Sequence, residues 1–152
     1  MNLFLAFDEV VRGLAAARVR YAVVGGLAVG LHGRIRATED MDFLVHPEDE
    51  SQVTELLRSL GYRANSQTQE FTRAGLSLRR FFKRLPQEQD LMVVDILLPL
   101  SARMLGILGR AIAVPFGNGA IRVVTNRDLV TMKKLRGSLT DQADIEYLRG
   151  EP

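Results

Sequence analysis

Residues 21–45, YAVVGGLAVGLHGRIRATEDMDFLV, constrain this chain more than any other stretch. Tyr21 to Val24 reads as a short apolar strand, Gly25-Gly26 as a turn, and Leu27 to Leu31 as a helix of little more than one turn that His32 and Gly33 close. A polar loop, Gly33 to Glu39, leads to a second strand that carries Asp40 and Asp42 at its start. Side chains alternate faces along a strand, so carboxylates at i and i+2 project together. Two such groups repel unless a cation sits between them. Mg²⁺ suits the place, because it takes hard oxygen ligands and fills its remaining positions with water and substrate phosphates. Upstream, the glycine pair lets the backbone approach a ligand, and the helix after it offers unpaired N–H groups to an anion. A phosphate cradle and a metal-binding carboxylate pair, with residues 27–39 between them, suit a nucleotide bound with its metal.

A further carboxylate lies in LMVVDILL, Leu91 to Leu98, the most apolar strand of the chain and one expected at the sheet centre. An ionised Asp95 needs a partner there, because desolvation costs several kcal/mol. Two partners fit: a nearby arginine, which makes the residue structural, or a metal, which makes it functional.

Gly25-Gly26 followed by Asp40-Met41-Asp42 resembles the signature of the DNA polymerase β-like nucleotidyltransferase superfamily. The fuller pattern GGLAVxxHGxxRxTxDxD is similar to the AbiEii-type branch, which is abortive-infection toxin-like. Gly25, Gly26, Ala28, His32, Gly33, Arg36, Thr38, Asp40 and Asp42 all fall in register with it. A lone GG or DxD says little; these positions together are specific. Near the C-terminus, Asp128, Leu129, Lys133, Asp141, Asp144, Ile145 and Leu148 also fit the branch, which runs DLxxxK, a basic loop, then DxxDIxxL. The chain departs from it at Ser138 and Thr140, where members often carry arginine and lysine; Arg136 is the nearest substitute.

The resemblance implies an α+β fold, a mixed sheet packed against helices with further helices at the C-terminus. It implies Mg-dependent transfer of a nucleoside monophosphate from an NTP, ATP among them, to an acceptor hydroxyl on RNA or tRNA, a protein or a small molecule. Asp40, Asp42 and Asp95 would be the catalytic carboxylates and the ligands of two Mg²⁺ ions. Gly25, Gly26, Arg36, Thr38 and Lys133 would bind the nucleotide. A toxin role with an antitoxin partner is a further implication. Two competing readings keep the fold without catalysis, as a nucleotide-binding module or as a nucleic-acid-binding one.

The remaining chain supplies a frame. Leu3, Leu5, Ala6, Val10, Leu14, Ala15 and Ala17 recur at helical spacing over residues 2–18. Pro47 opens another helix, with Val53, Leu56, Leu57 and Leu60 buried and Gly61 as its stop. Its first residues, Glu48, Asp49 and Glu50, read as a solvated turn that complements the helix dipole. Short strands follow at Tyr62 to Ala64, Glu70 to Arg73 and Leu76 to Lys83. The run LSLRRFFKR suits either a nucleic-acid surface or a charged edge strand. Ser101 caps a helix through Leu108, Gly117-Asn118-Gly119 joins two strands, and Thr125 or Asn126 caps the helix bearing Lys133. His32 is read as a brace and not as a general base, and Thr38 as ordering its loop by a local bond.

At 152 residues, with no linker or repeat, one domain is expected over 1–152. A net charge of +2, arising from seventeen arginines and three lysines against 18 acidic residues, leaves the chain only slightly basic. No apolar run is long enough to span a bilayer, no cysteine is present, and MNLFLAFDEVVRG lacks the basic start of a signal peptide. A cytoplasmic location is expected. Oligomeric state is left open.

Overall fold

The computed structural model describes residues 3–33, 40–85, 91–136 and 148–149. Helix α1, Leu3–Ala16, buries Ala6, Phe7, Val10, Val11 and Leu14. The apolar stripe is therefore rotated from the one expected: Phe7 and Val11 turn inward, whereas Leu5 and Ala15 are exposed. After Arg18, the chain forms strand β1, Tyr21–Val24, which is buried throughout. Helix α2 then spans Gly25–Leu31, so both glycines belong to the first turn of the helix and do not form a separate turn before it. Gly33, with φ +107°, closes it as expected.

Strand β2, Asp40–Val45, pairs antiparallel with β1. A 3-10 turn at Pro47–Asp49 precedes helix α3, Glu50–Ser59, which buries Val53 and Leu57. The solvated-turn reading fails for Asp49. Its side chain is buried and accepts from the Arg20 backbone N–H (2.8 Å), Nε (2.9 Å) and Nη2 (2.9 Å). Arg20 holds that carboxyl below the usual carboxylate range.

The next strands are β3 (Arg63–Ala64), β4 (Gln69–Phe71), β5 (Leu76–Arg84) and β6 (Leu91–Pro99). Helix α4, Ala102–Gly109, is capped by Ser101, whose Oγ accepts from the Met104 N–H. The hairpin of β7 (Ile112–Phe116) and β8 (Gly119–Val123) leads to helix α5, Asn126–Arg136. Thr125 caps it, its Oγ1 accepting from the Asp128 N–H. Asp128 is also clamped by Arg110 through two hydrogen bonds of 2.9 and 3.0 Å, which tie α5 to the end of α4.

These strands form one mixed sheet in the order β3-β5-β6-β2-β1-β8-β7, with β4 also on β5. The expected α+β class and interior β6 are both present. β5 is not an edge strand, because it lies between β6 and the short strands β3 and β4. Along β2, Met41, Phe43 and Val45 point one way; Phe43 stacks on Phe7 of α1 at 5.9 Å. Asp40 and Asp42 project from the opposite face, by the period of two of a strand. Among the described residues, no helix is long and apolar enough to cross a membrane.

Candidate active site

The sheet register builds the site. Val24 on β1 pairs with Asp42 on β2, Asp42 with Asp95 on β6, and Asp95 with Arg80 on β5. Residues in register on neighbouring strands share a face, so one row crosses four strands carrying two carboxylates and a guanidinium. All four residues line a cleft of about 410 Å³.

Beyond that polar row the cleft is largely apolar. Leu97 of β6 with Leu76 and Leu78 of β5 extend the floor on the same face. Leu129, Met132 and Leu135 of α5 line it too, as do Phe71 and the turn residues Thr72, Arg73 and Ala74. Lys133, only 5% exposed, adds a buried cation to the lining.

Asp95 is 5% exposed, and Arg80 meets it with both prongs: Nε donates to Oδ1 at 2.8 Å and Nη2 to Oδ2 at 2.9 Å. The same Nη2 is 3.9 Å from an oxygen of Asp40. The hydrogen bond to Asp95, then the charges of Asp95, Asp40 and Asp42, raise the Arg80 pKa well above its ordinary value. The arginine partner foreseen as one alternative for Asp95 is thus present, and it sits beside the DxD pair. Sequence reasoning had placed Arg80 within a basic run; its pairing depends on strand order, which leaves no local signal.

Gly25 has φ +68°, and a Cβ there would run into the Asp42 carboxylate. The glycine therefore gives Asp42 the space it occupies, a cradle that any side chain would fill. Hard oxygen donors two residues apart on one strand face, seated on that glycine, fit a divalent cation at Asp40 and Asp42. Asp95 has both oxygens on Arg80, and among the described residues no three acidic or imidazole side chains gather into a metal cage.

Gly26 is buried in the first turn of α2, where Val24 provides no side-chain cap. His32 Nε2 lies 2.8 Å from the Val124 carbonyl, bracing α2 against the end of β8 as its expected structural role requires. Arg36, Thr38, Asp141, Asp144 and Ile145 lie outside the described residues, as does the side chain of Arg136. Two of the basic residues of β5 are engaged within the protein. Arg79 pairs with Glu50 and lies over Phe81, Lys83 pairs with Glu9 and lies over Tyr62, and Phe81 is itself buried.

A mixed sheet with a glycine-started helix and a DxD strand flanked by a third aspartate defines a protein of the nucleotidyltransferase fold. Residues 6–80 match the model of the aminoglycoside-2''-adenylyltransferase family, just under half of the chain. Several solved structures share the fold. The lincosamide antibiotic adenylyltransferase LnuA, in its lincomycin-bound form, superposes with a TM-score of 0.64 at 16% identity, over 100% of this chain and 98% of its own. The Thermotoga maritima protein TM1012 gives 0.65 at 11% identity, over 97% and 92%. ANT(2'')-Ia, in complex with adenylyl-2''-tobramycin, gives 0.55 at 11% identity, over 97% of both chains. No curated protein matches the sequence. The partial family match and the shared fold are both those of nucleotidyltransferases. They support the superfamily expected from the motifs, and nothing in them supports the narrower AbiEii-type branch.

Proposed function

We propose that the chain transfers a nucleoside monophosphate from an NTP, with ATP the expected donor, to a hydroxyl of a small-molecule acceptor. The observation that carries this reading is the half-open cleft itself, which joins the Asp42–Asp95–Arg80 row to a mostly apolar lining. Such a shape suits a small amphiphilic molecule better than a polymer. The adenylyltransferases with the same fold act on antibiotics of that size. An RNA or protein acceptor, and an antitoxin partner, have no comparable support.

Asp40 and Asp42 would hold Mg²⁺, which would neutralise phosphate charge and polarise the reacting phosphoryl group. The Gly25-Gly26 backbone would receive phosphate oxygens, Gly25 standing beside Asp42, with Arg36 and Thr38 as proposed further contacts. Lys133 and Arg80 offset the triphosphate charge from within the cleft. Asp95 stands on the acceptor side. Each of its oxygens keeps a lone pair beyond the one given to Arg80, enough to orient an acceptor hydroxyl and take its proton. The acceptor oxygen bonds to the α-phosphorus as the bond to the pyrophosphate leaving group breaks.

Incubation with each α-³²P NTP, a panel of hydroxylated antibiotics, and separate RNA and protein extracts tests the reading. Label is expected in a small molecule, with pyrophosphate released. Label confined to RNA or protein would overturn the acceptor class. Nucleotide binding with no transfer to any acceptor would leave the non-catalytic module.

A further inference from the structure

The donor set around the carboxylates does not match a two-ion site. Asp95 gives both oxygens to one guanidinium at 2.8 and 2.9 Å, and that guanidinium also approaches Asp40 at 3.9 Å. Arginine cannot lose its proton to make room for a metal, and its planar fork matches a carboxylate along two parallel bonds. A second Mg²⁺ at Asp95 would have to settle on the remaining lone pairs directly beside the guanidinium's positive charge and shed tightly held water. The backbone keeps that positive charge in place, because Arg80 and Asp95 are register partners on interior strands.

We infer that this site takes one divalent cation, held by Asp40 and Asp42, and that Arg80 is a built-in second cation standing on Asp95. Arg80 then supplies the positive charge on the acceptor side that an exchangeable ion would otherwise bring. It is a positioning residue for Asp95, and it keeps Asp40 and Asp95 from repelling each other when the site is empty. The inference rests on the nucleotidyl-transfer reading, since it assumes a metal-bound triphosphate.

Counting Mn²⁺ per protein–nucleotide complex, by electron paramagnetic resonance with a non-hydrolysable ATP analogue, tests it without recourse to turnover. The native protein is expected to hold one ion and Arg80→Met two, the second weaker and recruited to the uncovered Asp95. Should Arg80→Met fail to fold, Asp95→Asn serves instead: the count stays at one, whereas a two-ion site would fall from two to one. Two ions in the native complex, or one in Arg80→Met, overturns the inference and leaves nucleotidyl transfer standing. Failure to bind the analogue or Mn²⁺ at all overturns both.

Discussion

Asp42 and Asp95 are direct register partners on the parallel strands β2 and β6, so their side chains emerge from the same face of the sheet side by side. Asp95 has its charge met by a fork of arginine hydrogen bonds from Arg80. The pairing makes the two aspartates separable by mutation. Asp42→Asn keeps the shape of the side chain and removes a charge from an acidic site. The expected outcome is loss of transfer by about 10³-fold or more, from lost electrostatic stabilisation of the reacting phosphate. Tm should stay within a few degrees of the native value. Single-turnover kinetics and a thermal melt check both; a fall of ten degrees or more would make Asp42 a structural residue.

Gly25 faces that same carboxylate. Gly25→Ala forces an L side chain into φ +68°, which costs about 1–2 kcal/mol, and drives its Cβ against Asp42. Both effects act on the site, so divalent-dependent nucleotide affinity should fall together with stability. Calorimetric titration of the variant with Mg²⁺ and an ATP analogue measures the first. An unchanged affinity would show that Asp42 does not take part in holding the metal–nucleotide pair.

Helices α1 and α3 end in the same hydrogen-bond pattern with different residues at its key position. After α3, Gly61 bonds to the Arg58 carbonyl and Tyr62 to that of Leu57, with Gly61 at φ +94°. After α1, Arg18 bonds to Ala15 and Val19 to Leu14, but the left-handed position, φ +56°, is occupied by exposed Arg18. Arg18→Gly should therefore stabilise the protein by roughly 0.5–1 kcal/mol, the relief of left-handed strain less the greater freedom of glycine when unfolded. Urea denaturation checks it, and a loss of stability would mean that the Arg18 side chain makes a contribution larger than its strain.

Tyr62 is buried, and its hydroxyl has no hydrogen-bond partner among the described residues. Burial, reinforced by the nearby Glu9 charge, pushes its pKa up to about 12. The folded state thus favours the neutral phenol. Its contribution to stability is fully present below the ordinary tyrosine value near 10 and is lost as pH rises from there toward 12. Tyr62→Phe removes that titration, so the variant should gain on the native protein across this window. At neutral pH it should be as stable or more so, since a buried hydroxyl without a partner costs about 1–3 kcal/mol. Paired denaturation curves at pH 7, 10 and 11.5 decide it: a constant difference would place the Tyr62 hydroxyl in contact with water.

The sequence by itself determined the strand–helix–strand unit around Gly25-Gly26 and Asp40–Asp42, the helix stops at Gly33 and Gly61, the cap at Ser101, and a cap at either Thr125 or Asn126. These are short-range effects: side-chain alternation, glycine's access to positive φ, and a hydroxyl reaching a backbone N–H three residues on. It also singled out Asp95, because a charge inside LMVVDILL demands a partner wherever the strand lies. Which partner it finds is a different matter. Arg80 meets Asp95, and Arg20 meets Asp49, only because strand order and register bring together residues 15 and 29 positions apart. The same long-range pairing put β5 inside the sheet, where an edge position had been one of two readings, and turned Asp49 from a solvated charge into a buried ion pair. Local chemistry chose the elements and the reactive residues. Tertiary structure alone decided which charges neutralise one another, because that depends on distances across strands that no local pattern records.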